Sequence, residues 1–188
     1  MVKHLYLMRH GQTLFNVYRR IQGWCDSPLT ELGIAQAKKA GEKLKTIPFD
    51  HYYCSTAERA CDTLEIVTDY KVPYKRVKGL KECYFGVFEG QSEDLNPPFD
   101  KYDDVFCIYG GESAQALRDR MTKTLTDIMN QEDHQIVLAV SHAGAGSQFI
   151  RSVQADALQG TRFSNCDTAH FTYEDGKFTF VELIRLEN

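Results

Sequence analysis

Short apolar runs alternate with amphipathic stretches along this chain, and together they predict the order of its strands and helices. Residues 3–9 and 50–55 have the length and composition of short buried strands. The run from Ile136 to Val140 is continuously apolar, which is typical of a central parallel strand covered on both faces. These three segments predict the centre of a parallel sheet.

Helical patterns lie between the predicted strands. Thr30 is placed to cap a helix that runs to residue 45. The apolar face of this helix is expected to contain Leu32, Ala35, Ala40 and Leu44. Residues 57–69 predict a second helix, and in residues 113–130 the apolar positions recur every three or four residues. This last spacing predicts an amphipathic helix.

The remaining pattern indicates the fold class. Residues 168–174 and 177–186 alternate around Asp175-Gly176, which predicts a β-hairpin. Strands that alternate with helices predict an α/β fold with a mostly parallel central sheet flanked by helices. Residues 89–111 form the one long irregular stretch and are expected to be a lid or a disordered loop. Nothing in the composition divides the chain, so a single domain over residues 1–188 is expected.

Composition and charge exclude several functional classes. The 188 residues carry a net charge of −4, whereas nucleic-acid binding domains usually carry a basic excess. No apolar run approaches the roughly 20 residues of a membrane helix, and the N-terminus lacks the pattern of a signal peptide. The six cysteines form no C-x-x-C pair, which favours reduced thiols over a zinc ribbon. A cytoplasmic protein with no membrane or nucleic-acid partner is therefore expected.

The residues that follow the predicted strands suggest chemistry. Ligands of open α/β sheets bind beyond the carboxyl ends of the strands. Arg9-His10 follows the first strand, Arg59 lies one helical turn after Ser55, and His142 follows the third strand. Arginine presents a fork of donors that suits phosphate or carboxylate. A neutral histidine beside such an anion can attack phosphorus.

Phosphoryl transfer also needs an acid to protonate the leaving oxygen. Glu82 is the best-placed candidate, because it follows the short basic and apolar stretch 74–80. Gly11 directly follows His10 and Gly144 lies two residues after His142, and both allow backbone N–H groups to approach an anion.

These residues and their order resemble the histidine phosphatase superfamily, the phosphoglycerate mutase-like proteins. The resemblance extends from residue 3 to about residue 172 and consists of ordered blocks rather than one tripeptide. The blocks are Arg9-His10-Gly11-Gln12-Thr13 with Asn16, Gln22-Gly23 with Asp26, Ser55 with Arg59 and Thr63, Leu80-x-Glu82 with Gly86 and Glu89-Gly90, Gly111-Glu112-Ser113, and Ser141-His142.

The resemblance implies a three-layer sandwich and a role for each matched residue. It implies that His10 accepts the phosphoryl group and that Glu82 protonates the leaving alcohol and then activates water. The residues that it implies hold the phosphoryl oxygens or add hydrogen bonds are Arg9, Arg59, His142, Asn16, Gln22, Gly23 and Ala143. No cofactor and no metal are expected. His4, His51, His134 and His170 show no ligand spacing, and they are assigned no role.

The sequence departs from the family pattern at two places, and the second, together with a chain shorter than typical cofactor-dependent mutases, bears on the substrate. Ala143 replaces the usual glycine, although its backbone N–H is retained. Residues 89–111 offer Lys101 as their cation among several acids, whereas phosphoglycerate mutases have basic residues there. We therefore expect a phosphatase that hydrolyses a small phosphorylated metabolite with a neutral or mildly polar leaving group. A phosphoglycerate mutase and a protein phosphatase remain alternative functions, and a homodimer remains open. A non-catalytic binding module on the same fold would require the loss of at least one of His10, Arg59, Glu82 or His142, and all four are present.

Overall fold

The computed structural model describes residues 1–98, 101–158 and 160–186. Within these residues six strands form one sheet: β1 (Lys3–Arg9), β2 (His51–Cys54), β3 (Lys75–Arg76), β4 (Ile136–Ser141), β5 (Thr168–Glu174) and β6 (Lys177–Ile184). Their spatial order is β3-β2-β4-β1-β5-β6. The first four of these run parallel to one another, and β5 and β6 are antiparallel to their neighbours. The predicted mostly parallel sheet and the C-terminal hairpin are confirmed.

Helices cover both faces of the sheet. They are α1 (Leu14–Val17), α2 (Glu31–Leu44), α3 (Glu58–Val67), α4 (Tyr102–Phe106), α5 (Ala114–Met129) and α6 (Ala143–Val153). Buried residues of α2 and α3 pack on one face with those of β2 and β4, and α5 and α6 pack on the other. This arrangement is the expected three-layer sandwich. The apolar faces of the helices remove a continuous area from water, which is the main driving force for such a fold.

The start of α2 agrees with the sequence, and its buried face agrees at Ala40 and Leu44 but not at the other two predicted positions. The Thr30 side chain accepts a hydrogen bond from the Gly33 N–H and caps the helix. Leu32 and Ala35, predicted for the buried face, are exposed. The residues that α2 buries are Gly33, Ala37, Ala40 and Leu44. A glycine at the contact lets the helix approach the backbone of Gln12 closely, because a Cβ at Gly33 would lie 2.0 Å from the Gln12 carbonyl oxygen. The close approach of α2 to the Gln12 backbone, rather than the size of its apolar side chains, therefore accounts for the burial of Gly33.

The stretch expected to be irregular contains local structure. Two 3₁₀ helices, Gly86–Phe88 and Glu93–Leu95, and the helix α4 interrupt residues 86–111. Phe106 of α4 is buried and contacts Phe85 and Phe88 edge to face. Aromatic packing of this kind fixes the segment against the rest of the molecule. The acids of this stretch include Asp100, which lies outside the described residues.

Within residues 1–98, 101–158 and 160–186, no helix combines the length and the apolar character needed to cross a bilayer.

Candidate active site

The carboxyl ends of three neighbouring parallel strands form the floor of the candidate site. β4 lies between β1 and β2 in the sheet. His10, Ser55 and His142 each follow directly after one of these strands. They therefore meet at one edge, and the ring centroids of His10 and His142 are 5.2 Å apart.

His10 is held as a neutral imidazole with one nitrogen available for attack. Its ring is 4% exposed, and Nδ1 lies 2.7 Å from the Gly11 carbonyl oxygen, which fixes the ring proton on Nδ1. Nε2 then carries the lone pair and accepts a hydrogen bond of 3.3 Å from Nε of Arg59. Burial, with the nearby Arg59 and Arg9 guanidinium groups, lowers the pKa of His10 well below its ordinary value. A neutral Nε2 is the form required of a nucleophile.

Arg59 is fully buried and is fixed by three oxygen atoms around it. Its Nη1 donates to the Cys25 carbonyl at 3.0 Å and to Oδ1 of Asp26 at 2.8 Å, and its Nη2 donates to the Gly23 carbonyl at 2.9 Å. Asp26 supplies the counter-charge that a buried guanidinium needs. The geometry aims the edge of the guanidinium at the attacking nitrogen of His10.

His142 is fully buried, and one of its ring nitrogens has no hydrogen-bond partner. Its Nε2 lies 2.8 Å from the Ser55 hydroxyl, whereas Nδ1 is buried without a hydrogen-bond partner. If the Ser55 hydroxyl donates to Nε2, the ring proton lies on Nδ1 and can be donated to a ligand. Burial, with the positive charge of Arg59 nearby, lowers the pKa of His142 well below its ordinary value.

Glu82 is positioned by the N-terminus of α6. Its Oε1 accepts from the N–H groups of Ala145 (2.7 Å) and Cys83 (2.8 Å), and its Oε2 accepts from Gly144 (2.8 Å). A carboxylate at a helix N-terminus is stabilised by the unpaired amides and the helix dipole. Oε2 has one N–H partner here, so it keeps a lone pair that can carry a proton.

Two side chains fix the backbone of Glu82. Trp24 donates from Nε1 to the Glu82 carbonyl at 3.0 Å. Arg120 donates to the carbonyl oxygens of Gly79, Lys81 and Glu82, and it forms a salt bridge of 2.6 Å with Glu112. These contacts hold the loop that presents the carboxylate.

A cavity of about 240 Å³ is lined by His10 and Glu82, whereas Arg59 and His142 are not among the described residues that line it. Its lining consists of Arg9, His10, Asn16, Arg20, Ile21, Gln22, Glu82, Phe85, Glu93, Asn96, Tyr102, Ala143 and Gly144. Two of its buried donor atoms, Nε of Arg9 and Nε2 of Gln22, have no hydrogen-bond partner. Buried polar atoms are nearly always paired, so unpaired donors around His10 indicate a place for an anionic ligand.

Other predicted binding residues differ in how they face the cavity. Asn16 lines it, and its Oδ1 accepts from the Thr13 N–H and from Asn165, which leaves the amide nitrogen for a ligand. Ala143 lines the cavity at the start of α6. Helix-start amides have no partner within their helix.

Gly23 supports the site from behind. It is not among the described residues that line the cavity. Its N–H donates to Glu89, and its carbonyl accepts from Arg59. A Cβ at Gly23 would lie 2.2 Å from the Cys83 carbonyl oxygen, so only glycine fits. Contact between Gly23 and a phosphoryl oxygen stays a prediction, and it requires the N–H to exchange Glu89 for the ligand.

Several important residues were absent from the sequence-based set or had no role there. The Glu89 carboxylate accepts from four backbone amides, those of Gly23, Trp24, Cys25 and Phe85. Burial acts to raise the pKa of Glu89, but these hydrogen bonds and one from the Cys25 thiol lower it overall. No local sequence pattern predicts a role for Arg120 or Asn165, because their contacts join segments that are far apart in sequence.

The four histidines without an assigned role contact one another in two pairs, although Nδ1 of His170 is buried without a hydrogen-bond partner. His4 and His170 are 3.0 Å apart between ring nitrogens. His51 and His134 stack at 3.6 Å near the opposite end of the sheet. Together with Asp133 they place three potential metal ligands within 4.8 Å of one another. Each ring nitrogen of this group already has a hydrogen-bond partner among Asp50, Asp133 and Tyr53.

Comparisons with known proteins agree with this geometry. Residues 5–185 match the histidine phosphatase superfamily (branch 1). A probable phosphoglycerate mutase of Proteus mirabilis is 31% identical over 183 residues, covering 91% of this chain and 85% of the relative. An adenosylcobalamin/alpha-ribazole phosphatase of Salmonella typhimurium is 35% identical over 155 residues, covering 78% and 77% of the two chains.

A solved structure shows the same fold. The crystal structure of a phosphoglycerate mutase from Bacillus anthracis aligns with a TM-score of 0.85 at 27% identity, covering 96% of this chain and 92% of that one. The extent of these matches shows that the chain is an enzyme of the phosphatase and mutase type and belongs to the histidine phosphatase superfamily, branch 1.

Proposed function

We propose that this chain is a metal-independent phosphatase that hydrolyses a small phosphorylated metabolite through a phosphohistidine on His10. The observation that carries the proposal is the set of buried, unpaired nitrogen atoms, on Arg9, Gln22 and His142, beside a neutral imidazole. A phosphoryl group supplies the acceptor oxygens that these nitrogens lack. Donors fixed before the substrate arrives stabilise the charge of a transition state without reorganisation.

The first step forms a bond between Nε2 of His10 and phosphorus and breaks the phosphorus–oxygen bond to the leaving alcohol. Arg59 already touches Nε2, so it is placed to hold an equatorial oxygen once phosphorus approaches. Glu82 gives its proton to the departing oxygen. Positioning and charge stabilisation are sufficient for this chemistry.

The second step returns the enzyme to its starting state. A water takes the place of the alcohol, and the Glu82 carboxylate removes its proton as oxygen attacks phosphorus. The phosphorus–nitrogen bond breaks, inorganic phosphate leaves, and Glu82 is protonated again. One carboxyl group serves both steps because the alcohol and the water occupy the same place.

The main test is chemical trapping of the intermediate. Wild-type enzyme mixed with a phosphorus-labelled monoester and quenched in base should keep an acid-labile, base-stable label. His10→Ala should keep no label and no turnover. His51→Ala, which removes an imidazole near the opposite end of the sheet, is the matched control and should keep both. Label on the His10→Ala protein would place the nucleophile elsewhere.

Metal independence is tested separately. Dialysis against a chelator should leave turnover unchanged, and vanadate should inhibit because it adopts the five-coordinate geometry of the transition state. Loss of activity on chelation with recovery on adding zinc or magnesium would contradict the mechanism.

The second candidate function is a phosphoglycerate mutase. The structure contributes one observation in its favour, since Arg20 lines the cavity and can hold a carboxylate. Phosphate release and interconversion of 2- and 3-phosphoglycerate should be followed on the same preparation. Isomerisation at ten or more times the rate of hydrolysis would favour the mutase.

The cellular compartment in which the reaction takes place is also part of the proposal. The described cysteines are all free thiols, including the buried pair Cys54 and Cys61. Free thiols are usual in a reducing compartment, which supports placement in the cytoplasm.

A further inference from the structure

Two buried cysteine thiols lie in contact on the elements that carry Ser55 and Arg59. Cys54 is the last residue of β2, and Cys61 is in α3. Both side chains are fully buried free thiols, and their sulfur atoms are 3.3 Å apart. Because a disulfide has an S–S distance of about 2.05 Å, the two sulfurs need to approach by only about 1.3 Å to form one.

The hydrogen bonds of the two thiols give them different roles. The Cys61 thiol donates to the Ser55 carbonyl oxygen at 3.2 Å. Since its proton is used there, the Cys54 thiol is the donor between the two sulfurs. The hydrogen bond from Cys54 lowers the pKa of Cys61. The thiolate is the form of cysteine that reacts with an oxidant, so Cys61 is the sulfur expected to react first.

Short elements beside the sulfurs give a small oxidant a way in. Cys54 pairs with Arg76 of β3, a strand of two residues at the edge of the sheet. The N-cap residue of α3, Ala57, has no side chain that could cap the helix. Elements with few buried contacts open locally at a low cost in free energy. Hydrogen peroxide is little larger than water, so we expect a slow reaction through such openings.

The same two elements position groups of the candidate active site. Ser55 follows Cys54 directly, and its hydroxyl lies 2.8 Å from Nε2 of His142. Arg59 lies two residues before Cys61 on α3, and its Nε lies 3.3 Å from the proposed nucleophile. A disulfide would draw α3 toward β2 and remove the thiol proton that the Ser55 carbonyl accepts. Both changes act on groups next to the two active-site histidines.

We propose that Cys54 and Cys61 form a reversible disulfide with hydrogen peroxide as the oxidant, and that this disulfide lowers turnover by displacing Arg59 and Ser55. Neither cysteine is among the described residues that line the cavity, so the pair is a modification site separate from the substrate site. Disulfides of cytosolic proteins are usually transient and redox-sensing. The effect on turnover rests on the proposed phosphatase function, whereas the formation of the disulfide does not.

The reaction consumes one peroxide for each disulfide. The Cys61 thiol gives up its proton, and its sulfur attacks one peroxide oxygen, which breaks the O–O bond and leaves a sulfenic acid and hydroxide. The Cys54 sulfur then attacks the sulfenic sulfur, the S–O bond breaks and the S–S bond forms. The released hydroxides take up the two thiol protons as water, so the two sulfurs supply the two electrons that reduce the peroxide.

Peptide mapping detects the disulfide without any assay of activity. Trypsin cleaves after Arg59, so Cys54 and Cys61 fall in separate peptides, residues 46–59 and 60–71. Neither peptide contains another cysteine or a methionine. The folded wild-type protein should be treated with peroxide, alkylated, denatured and digested. The two peptides should then appear joined, and dithiothreitol should separate them.

Turnover of p-nitrophenyl phosphate should follow the state of the pair. A displacement of about 1 Å in an active site can cost on the order of 10²-fold. Because side-chain rotation takes up part of the movement, the disulfide should lower kcat by about tenfold. Dithiothreitol should restore the rate.

Three variants assign these effects to the pair. Cys61→Ala should form no joined peptide and should keep its turnover in peroxide. Cys54→Ala, the second test of the pair, should form no joined peptide and lose no turnover that dithiothreitol restores. Cys107→Ala removes an exposed thiol, so it is the matched control and should behave as the wild type does.

The outcomes separate this proposal from the function. Absence of the joined peptide from wild-type protein in which Cys107 has been oxidised would overturn the proposal. A joined peptide with unchanged turnover would also overturn it, because the disulfide would then leave Arg59 and Ser55 in place. Failure of the untreated enzyme to hydrolyse p-nitrophenyl phosphate would instead reject the proposed function, and the joined peptide would still decide whether the pair closes.

Discussion

Two pairs of histidines lie near opposite ends of the same sheet, and they differ in how their hydrogen bonds are satisfied. His51 and His134 stack at 3.6 Å, and Asp133 contacts a nitrogen of each ring. The Tyr53 hydroxyl lies 2.6 Å from Nε2, the second ring nitrogen of His134. His10 and His142 are 5.2 Å apart. Both nitrogens of His10 have partners, but Nδ1 of His142 has none, and neither do the cavity-wall donors Nε of Arg9 and Nε2 of Gln22.

The difference separates a structural use of histidine from a functional one. A buried ring whose two nitrogens are satisfied contributes to stability, and its removal leaves other groups unpaired. A ring beside unsatisfied donors is unfavourable for the free protein and useful once an anion arrives. The folded chain maintains this unfavourable arrangement at the end of the sheet where the phosphoryl group is proposed to bind.

The largest expected effect is a difference in kcat between two alanine variants, one from each pair of histidines. His142→Ala should lower kcat by about 10²–10³-fold, the usual result of removing one donor to a transition-state oxygen. His134→Ala should leave kcat unchanged and lower the free energy of unfolding by about 1–3 kcal/mol, because it leaves the Tyr53 hydroxyl buried and unpaired.

Both quantities should be measured on both variants, with kinetics at a temperature where each is fully folded. Urea unfolding gives the free energies. Equal losses of kcat in the two variants would mean that satisfied and unsatisfied histidines do not differ in function, and the comparison would fail.

Much of the fold and of the site could be predicted because those parts depend on local pattern. β1 coincides with the predicted residues, and Thr30 caps α2 as expected. The residues that end the strands, His10 and His142, meet because the carboxyl ends of parallel strands lie at one edge.

What could not be predicted depends on contacts between distant segments. Arg120 reaches back about forty residues to hold the Glu82 loop, and no local pattern announces such a contact. The predicted buried face of α2 was wrong at Leu32 and Ala35 because the prediction followed the apolar side chains, whereas α2 buries Gly33 where it approaches the Gln12 backbone closely. The prediction treated the acids of residues 89–111 as a single source of negative electrostatic potential. The fold instead turns Glu89 inward to bind backbone amides and directs Glu93 into the cavity.

Glu82 provides a second test of the comparison between satisfied and unsatisfied groups. It is the proposed acid, although its oxygens already have three N–H partners. Glu82→Gln should slow hydrolysis of an alkyl phosphate by about 10²-fold, a typical contribution of general acid catalysis. p-Nitrophenyl phosphate, whose leaving group needs little protonation, should be affected much less.

Gly144→Ala offers an independent route to the same group. Its Cβ would lie 2.7 Å from Oε1 of Glu82, so the carboxylate must shift while its charge is kept. The same dependence on leaving group is expected, with a smaller loss. Equal slowing of both esters in either variant would indicate that Glu82 holds the site together rather than transferring a proton.

The smallest expected effect is a change in how stability depends on pH. Burial lowers the pKa of His10 in the folded state below its unfolded value of about 6.5. Below pH 6.5 the unfolded chain therefore binds a proton that the folded chain refuses, and stability falls as the pH falls toward the folded pKa. The loss from this residue is at most about 1.4 kcal/mol per pH unit.

His10→Asn keeps a donor for the Gly11 carbonyl and removes the titrating ring. Urea unfolding at pH 7.0 and 5.5 should show that the variant loses about 1 kcal/mol less than the wild type, since the carboxylates common to both proteins cancel. The same pH dependence in both proteins would mean that His10 takes up a proton in the folded state near its ordinary pKa, and that its burial does not hold the imidazole neutral.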